Sequence, residues 1–204
     1  MTDDTLRLPT ASPGMRIGLF GGSFNPAHEG HRLVALECLK RLALDRVWIL
    51  VSPGNPLKDH SHLAPLAERV AATRALMDHA ALEVTGFEAA HDFHYTHDTL
   101  TFLTAGHRGI HFVWIMGADS LMTFDRWERW EEIARLMPIA VYARPGATFK
   151  ATQSPAASAL AEFRLPEEAA ETLADRAPPA WVYLHGIMSP LSSTAIRKAQ
   201  QSPQ

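Results

Sequence analysis

The sequence predicts an α/β protein with a doubly wound, predominantly parallel sheet that carries helices on both faces. Short apolar runs suited to buried strands alternate along the chain with segments whose apolar residues recur at helical spacing. Glycines and distinctive polar residues follow several of the predicted strands. Ligands bind such sheets beyond the carboxyl ends of the strands. We therefore expect the functional site along that edge.

Six apolar runs predict strands, at residues 16–20, 46–51, 81–87, 109–116, 138–143 and 180–184. Helices are predicted at residues 33–42, 65–77, 96–105 and 166–176, after residue 119, and from residue 192. Residues 147–179 are otherwise less regular and are enriched in Ala, Ser and Pro, so we interpret this stretch as an insertion within one domain.

Length and composition bound the architecture. With 204 residues, 47% of them hydrophobic, the chain can bury the core of a single domain, which we place at residues 15–204. Residues 1–14 contain acids and prolines but no long apolar segment, which favours a disordered leader and argues against a secretion signal. The one cysteine, Cys38, excludes an internal disulfide and fits the predicted core. We expect a cytoplasmic protein.

Charge and hydropathy narrow the choice of partners. The formal net charge is −3, so nothing in it predicts general attraction to nucleic acid or acidic membranes. No uninterrupted apolar stretch approaches the roughly 20 residues that a membrane span needs. The net charge does not exclude a small phosphorylated ligand, because a local basic cleft can bind anions even in an acidic protein.

The most informative segment, residues 21–31, reads GGSFNPAHEGH and joins the first predicted strand to the first predicted helix. Glycines let the backbone approach an anion closely, and the N–H groups at a helix start favour phosphate. His28 and His31 are three residues apart and so share one face of the helix. The alternative is a turn that merely connects two elements, but the whole pattern predicts nucleotide binding.

This segment resembles the G-x-F-(D/N)-P-x-H-x-G-H signature of the nucleotidyltransferases that share the HxGH motif, a family with a Rossmann-like fold. These enzymes transfer a nucleotidyl group from a nucleoside triphosphate to a phosphate-bearing acceptor. The resemblance implies that ATP-binding and acceptor-binding residues both lie in this turn. The implied ATP-binding residues are Gly21, Gly22, Ser23, Phe24, His28 and His31, and Asn25 is the implied acceptor-binding residue.

A second motif lies at residues 192–197, which read SSTAIR and resemble the family's S-S-T-x-I-R triphosphate-binding motif. A helix start supplies backbone donors, hydroxyl groups add to them, and arginine offers a charged fork matched to phosphate oxygens. The motif alone could be a plain capped helix. Together with the glycine turn it implies that Ser193, Thr194 and Arg197 bind ATP, with His28, His31 and Arg197 as the catalytic residues.

Two further segments resemble the nicotinate-mononucleotide adenylyltransferase branch of this family. Residues 95–100 read YTHDTL and resemble its Y-T-x-x-T-L element, and the GAD of residues 117–119 with a downstream tryptophan resembles its G-x-D and tryptophan. The resemblance then covers residues 16–198. By match, Gly117 and Asp119 contact ATP, Tyr95 and Thr96 bind the acceptor, with Thr96 at the nicotinate carboxylate, and Trp127 stacks on the pyridine ring.

Several of these residues have a plainer interpretation. Asp119 could cap the helix that follows it, and Trp127 and Trp130 could form the apolar face of a helix. We assign that apolar role to Trp130 alone. Lys58 and Arg144 each follow a predicted strand and are placed to neutralise phosphates on the acceptor side, or else are solvated surface charges.

The histidines also suggest a metal site, because His91, His94 and His97 recur at a spacing of three residues. Asp92 and Asp98 could complete a ligand set, but zinc requires a specific geometry, and His97 fills a variable position of the threonine motif. We therefore predict no protein-held metal.

The resemblance implies transfer of AMP from ATP to nicotinate mononucleotide, a step of NAD biosynthesis, with Mg²⁺ bound to the ATP. One alternative is a sibling enzyme that uses nicotinamide mononucleotide or phosphopantetheine as its acceptor. A non-catalytic nucleotide-binding module on the same fold is another. Assembly into a homo-oligomer is left open.

Overall fold

The computed structural model describes residues 4–54, 63–143 and 148–186, together with Ser193, Ile196 and Arg197. Three residues with predicted site roles, Lys58, Arg144 and Thr194, lie outside this part of the chain.

One sheet forms the centre of the described structure. Its strands are β1 (Arg16–Gly22), β2 (Arg46–Val51), β3 (Leu82–Thr85), β4 (His111–Gly117), β5 (Ile139–Tyr142), β6 (Arg164–Leu165) and β7 (Trp181–Leu184). Their order across the sheet is β3-β2-β1-β4-β5-β7-β6, and every neighbouring pair is parallel. Because the strand order changes direction between β1 and β4, the topological switch point lies there. The predicted α/β, Rossmann-like class is confirmed.

Helices connect the strands. The described α-helices are α1 (Glu29–Arg41), α2 (Leu66–Leu76), α3 (Thr96–Gly106), α4 (Ala118–Leu121), α5 (Trp130–Leu136), α6 (Thr148–Thr152) and α7 (Pro155–Ala159). Short 3₁₀ helices lie at Asp4–Leu6, Phe87–His91, Phe124–Arg126, Ala161–Phe163 and Glu167–Asp175. None of the helices described here has the length and apolar character of a membrane span.

The two faces of the sheet bury separate cores because alternate residues of a strand point to opposite sides. In β1, Ile17 and Leu19 face the core that α3 and α5 cover, whereas Phe20 faces the core that α1 and α2 cover. Cys38 of α1 is fully buried in the latter core, and burial raises the pKa of its thiol to about 12. The predicted core role of this cysteine is confirmed.

The long predicted elements match the observed ones to within a few residues, but the stretch from 148 to 165 contains structure that the sequence does not predict. The α6 and α7 helices have five residues each, and β6 has two, so none is long enough to show a periodic apolar pattern. The predicted helix at 166–176 is present as the 3₁₀ helix Glu167–Asp175.

The N-terminal segment, residues 4–14, makes hydrogen bonds to the β3 edge of the sheet. The Gly86 N–H donates to the Thr5 carbonyl at 2.8 Å, and the Thr85 hydroxyl donates to the Arg7 carbonyl at 2.8 Å. These partners are far along the chain and leave no local signature, which is why composition alone indicates disorder. The segment thus contacts the edge of the sheet through residues 5 and 7.

Both edges of the sheet have a distinct structure. At the β3 edge, Arg74 of α2 donates to the Val84 carbonyl from both Nε and Nη2 at 3.2 Å, and Nη2 also donates to the Asp4 carbonyl at 2.8 Å. At the opposite edge lies β6, with only two residues. The first edge is therefore covered by a side chain and the N-terminal segment, and the second is short.

Candidate active site

A cavity of about 350 Å³ lies beyond the carboxyl ends of β1, β2 and β4, at the switch point of the sheet. Six residues with predicted site roles line it: Gly21, Gly22, Ser23, Tyr95, Thr96 and Trp127. The structure therefore places these six residues around one cavity at the carboxyl edge of the sheet, where we expect ligands to bind.

The remaining predicted residues that the structure describes do not line this cavity. Phe24, Asn25, His28, His31, Ser193 and Arg197 cluster beside it, around the turn between β1 and α1. Gly117 precedes α4, and Asp119 lies exposed in the first turn of that short helix. The helix cap predicted as an alternative for Asp119 falls on Gly117 instead.

His28 and His31 form a stacked pair at the start of α1, with ring centroids 3.8 Å apart and planes inclined by 30°. The His28 backbone N–H donates to Nδ1 of His31 at 3.2 Å. Because Nδ1 accepts this bond, a neutral His31 carries its proton on Nε2, from which it can donate to a ligand. The three-residue spacing thus brings the two imidazoles together, as expected.

Phe24 packs against the His31 ring of this pair. It is 3% exposed, and its ring meets that of His31 edge to face at 4.9 Å and that of Phe20 at 5.7 Å. Its φ of 45° lies in the left-handed region, which costs a bulky residue on the order of 1 kcal/mol. Burial of the ring against Phe20 and His31 offsets this cost.

The C-terminal motif packs directly on the glycine turn. The Ser193 hydroxyl donates to the Pro26 carbonyl at 2.9 Å, and Nη1 of Arg197 donates to the Asn25 carbonyl. The Asn25 side chain in turn accepts from the Ala64 N–H at 3.3 Å. Two motifs separated by more than 160 residues therefore form one cluster of hydroxyl, imidazole and guanidinium groups.

Trp127 and Trp114 contribute aromatic surface to the cavity. Trp127 is half-buried and meets Trp114 at 6.4 Å and Phe124 at 5.4 Å between ring centroids, both edge to face. Trp130 also meets Phe124 edge to face, at 5.7 Å, and packs against the core without lining the cavity. The apolar interpretation therefore holds for Trp130, whereas Trp127 both packs on the core and faces the cavity.

The start of α3 supplies donors on the same side of the cavity. Tyr95 precedes the helix in extended conformation and Thr96 begins it, so the predicted helix start is confirmed. The first N–H groups of a helix lack partners within the helix, and its positive dipole end favours a carboxylate. Both residues line the cavity.

Some lining residues are not predicted from the sequence. Ser52 follows β2 and could have been found by the rule that placed the other residues at strand ends. Trp114 lies within β4, where a tryptophan reads as core, and Glu88 lies in a 3₁₀ helix with no periodic pattern. Arg126 is the one arginine or lysine among the described lining residues.

Glu88 has an unusual electrostatic setting. The Thr99 hydroxyl donates to its Oε1 at 2.6 Å, and burial raises the pKa of the carboxyl to about 7, an effect that the Thr99 hydrogen bond partly opposes. A large fraction of Glu88 is therefore protonated at neutral pH. A neutral acid in the wall of the cavity does not repel a negatively charged ligand.

We expect Glu88 to make the protein less stable as the pH rises. The pKa is near 4.5 in the unfolded chain and about 7 in the folded one, so its stabilising contribution is complete below pH 4.5 and is lost as the pH rises through 7. In Glu88→Gln this loss should vanish, a difference of at most about 3 kcal/mol in the free energy of unfolding. Urea denaturation of both proteins across this range measures it.

Thr99→Val provides the companion test. Loss of the hydroxyl should raise the pKa of Glu88 further and move the destabilisation to higher pH. Identical pH profiles for the natural protein and Glu88→Gln would contradict the assignment.

The three regularly spaced histidines do not come together. His91 stacks on Phe93 at 5.2 Å, His94 lies 3.1 Å from Asp92, and His97 is buried against α5, with Nε2 3.4 Å from Glu132. Within the described ranges, no three His, Cys, Asp or Glu side chains are grouped so that they could hold a metal ion.

Arg69 of α2 is a further residue that sequence reasoning misses. It is 3% exposed, and it donates to the carbonyls of Ser23 and Ser52, each at 2.8 Å from Nη1. Its apolar surroundings in the sequence give no sign that the side chain reaches the cavity-lining turns.

Comparison with known proteins shows the family of the chain. The family model described as cytidylyltransferase-like matches residues 19–199, which include both motifs of the site. The chain therefore belongs to the cytidylyltransferase-like family.

Curated relatives make the comparison more specific. A protein of Methylorubrum extorquens named "Probable nicotinate-nucleotide adenylyltransferase" is 60% identical over 90% of this chain and 99% of its own length. A Bradyrhizobium protein of the same name is 53% identical over 92% of this chain and 98% of its own length. The resemblance found in the sequence is confirmed.

Solved structures agree on the fold. Plasmodium falciparum nicotinic acid mononucleotide adenylyltransferase complexed with NaAD superposes with a TM-score of 0.67, over 90% of this chain and 83% of that one. Its sequence identity is 15%, so this likeness shows the fold alone.

Proposed function

We propose that this enzyme transfers AMP from ATP to nicotinate mononucleotide and so forms nicotinate adenine dinucleotide and pyrophosphate, a step of NAD biosynthesis. The observation that carries the proposal is the contact of Ser193 and Arg197 with the glycine turn beside an aromatic cavity. The hydroxyl and guanidinium groups suited to phosphate thus lie next to the cavity that Trp127 lines, which suits a flat ring. The names of the curated relatives support the same acceptor.

The reaction requires little covalent chemistry from the protein. An oxygen of the acceptor phosphate, already a nucleophile at neutral pH, attacks the α-phosphorus of ATP, and the bond from that phosphorus to the pyrophosphate oxygen breaks. The protein must align the attacking and leaving oxygens and stabilise charge on the transferred group. His28, His31 and Arg197 are the residues to which we assign this work, and the hydrogen bond accepted by Nδ1 of His31 puts the proton of its neutral ring on Nε2.

The acceptor would occupy the aromatic end of the cavity. Trp127 offers a face for the pyridine ring, and the N–H groups at the start of α3, at Tyr95 and Thr96, suit its carboxylate. Arg126 adds positive charge on this side, and we assign Lys58 and Arg144 to the acceptor phosphate. Glu88 adds less than a full negative charge beside the nicotinate carboxylate at neutral pH, because burial raises the pKa of its own carboxyl to about 7.

Gly117 and Asp119 complete the proposed ATP site from the other side of the switch point, and Thr194 joins Ser193 at the triphosphate. Mg²⁺ enters as part of the ATP substrate, bound to triphosphate oxygens and to retained water. In such a complex the ion shields the charge of the leaving pyrophosphate, and no cage of protein carboxylates is needed.

The test is pyrophosphate release by the purified protein with ATP and Mg²⁺, with nicotinate mononucleotide, nicotinamide mononucleotide and phosphopantetheine compared at equal concentrations. We expect turnover to be fastest with nicotinate mononucleotide. A preference for another acceptor would keep the chemistry but contradict the pocket assignment. No turnover with any of the three would favour a nucleotide-binding module.

Trp127→Ala should raise the KM for nicotinate mononucleotide by about tenfold while it changes the KM for ATP little, because only the acceptor ring stacks there. Steady-state kinetics with each substrate varied in turn measures this split. Trp130→Ala is the matched control, since it removes the same ring from the same core without opening the cavity wall. Equal losses for both substrates in Trp127→Ala would contradict the stacking assignment.

A further inference from the structure

Arg69 holds together the segments that surround the phosphate-binding turn. Its guanidinium donates to the Ser23 carbonyl of the turn and to the Ser52 carbonyl at the end of β2, both at 2.8 Å. It donates also to the Pro53 carbonyl at 3.3 Å, and from Nε to the Ala64 carbonyl at 2.8 Å. Three stretches of chain thus converge on one buried side chain.

These bonds fix the direction of the peptide groups in the turn. The Gly22 carbonyl accepts from the Ser52 N–H at 2.9 Å, and the Ser23 carbonyl accepts from Arg69. In a trans peptide the N–H points opposite to the carbonyl, so the N–H of Phe24 is directed away from Arg69. The carbonyl oxygens that would repel a phosphate are therefore turned toward β2 and α2.

The charge of Arg69 is also uncompensated by a carboxylate. Among the residues that the structure describes, no acid forms an ion pair with it, and each acceptor named above is a neutral carbonyl. Burial lowers the pKa of the guanidinium, yet an arginine keeps its proton at physiological pH. A buried positive charge therefore lies directly behind the turn to which phosphate is expected to bind.

A second path links Arg69 to the catalytic cluster. Residue Ala64, whose carbonyl accepts from Arg69, donates its N–H to the Asn25 side chain, and the Asn25 carbonyl accepts from Arg197. A displacement of Arg69 would therefore reach the guanidinium to which we assign the transferred phosphate.

We propose that Arg69 is a positioning residue for a phosphate group of the bound nucleotide: it turns the Ser23 carbonyl away from that phosphate and supplies the positive charge behind the turn. This inference rests on the proposed function for the identity of the substrates. The phosphate could belong to ATP or to the acceptor mononucleotide, and the experiment distinguishes them.

The experiment compares the natural protein with Arg69→Lys and Arg69→Met in two assays. Calorimetric titration with inorganic triphosphate and, separately, with nicotinate mononucleotide measures binding without turnover. Steady-state kinetics then measures kcat and each KM. We expect Arg69→Met to weaken binding of one phosphate ligand by about 10- to 100-fold and to lower kcat. Without the hydrogen bonds from Arg69 to the carbonyls of Ser23 and Ser52, the turn would shift from the position that binding requires. Arg69→Lys keeps the positive charge but loses the several donors of the guanidinium. Its ligand affinity and kcat should therefore lie between those of the natural protein and those of Arg69→Met.

Arg74→Met is the matched control. Arg74 lies five residues further along α2 and likewise donates to backbone carbonyls, but at the β3 edge of the sheet. Arg74→Met should have a lower free energy of unfolding in urea denaturation, with ligand binding and kcat unchanged. If Arg69→Met does not fold, Arg69→Lys decides the question.

Weaker binding of either triphosphate or the mononucleotide by Arg69→Lys supports the inference. The ligand that is affected shows whether the phosphate belongs to ATP or to the acceptor. Unchanged binding and kinetics in a folded Arg69→Lys would overturn it. An inactive natural protein that still binds triphosphate would instead refute the proposed function alone, since the binding assay needs no turnover.

Discussion

Replacement of His28 by alanine should lower kcat by about 100-fold or more, the usual scale for loss of a group that stabilises the transition state. His28 is 4% exposed and stacks on His31, so its imidazole is held in place before substrate binds. A mobile imidazole would have to be oriented when substrate binds, at a cost in free energy, whereas the His28 ring is already fixed by its packing. Steady-state kinetics at saturating ATP and nicotinate mononucleotide measures the change.

His107→Ala serves as the control for this prediction. His107 follows α3 and contacts Trp48 edge to face at 6.0 Å, so its removal also deletes a packed imidazole, but away from the cavity. Circular dichroism and urea denaturation should show both variants folded, and only His28→Ala should lose turnover. A folded His28→Ala with nearly normal kcat would remove His28 from catalysis.

Gly21→Ala should damage both stability and acceptor use, although it adds a single methyl group. A Cβ at this position would lie 2.5 Å from Cη2 of Trp114, a buried ring that in turn contacts Trp127. Overpacking of this kind costs typically about 1–3 kcal/mol. Displacement of the aromatic wall should lower kcat/KM for nicotinate mononucleotide by about 10- to 100-fold. Urea denaturation and steady-state kinetics measure the two effects.

Two further variants make this prediction specific. Gly106→Ala, at the end of α3, adds a methyl group that meets no atom within 4 Å, and it should change stability by less than about 1 kcal/mol. The second-site change Trp114→Phe removes the ring atoms nearest to the new methyl and should restore part of the stability of Gly21→Ala. A Gly21→Ala protein that equals the natural one in both measurements would refute the close approach.

The sequence predicts the site best where the chemistry lies within one short segment. The spacing of His28 and His31 brings the two rings together without help from the rest of the fold, and the apolar runs predict the central strands. Contact between Arg197 and Asn25 depends on the whole sheet; the resemblance to a known family assigned both residues to the site but predicted no contact between them.

What the sequence does not predict depends on distant partners. Arg69 reads as an ordinary charged residue of a helix until the structure brings Ser23 and Ser52 to it. Trp114 reads as core because it lies within a strand, and the fold alone makes it a cavity wall. The contacts of the N-terminal segment could not be predicted for the same reason, since they are hydrogen bonds to residues 85 and 86.

The two sheet edges bear on how this chain associates with other molecules. Exposed edge strands invite strands from neighbouring chains and so promote aggregation. Here an incoming strand would have to displace Arg74 and the N-terminal segment from β3, and at β6 it would find two residues with which to pair. In the part of the chain that the structure describes, growth of the sheet from one molecule to the next is therefore opposed at both edges.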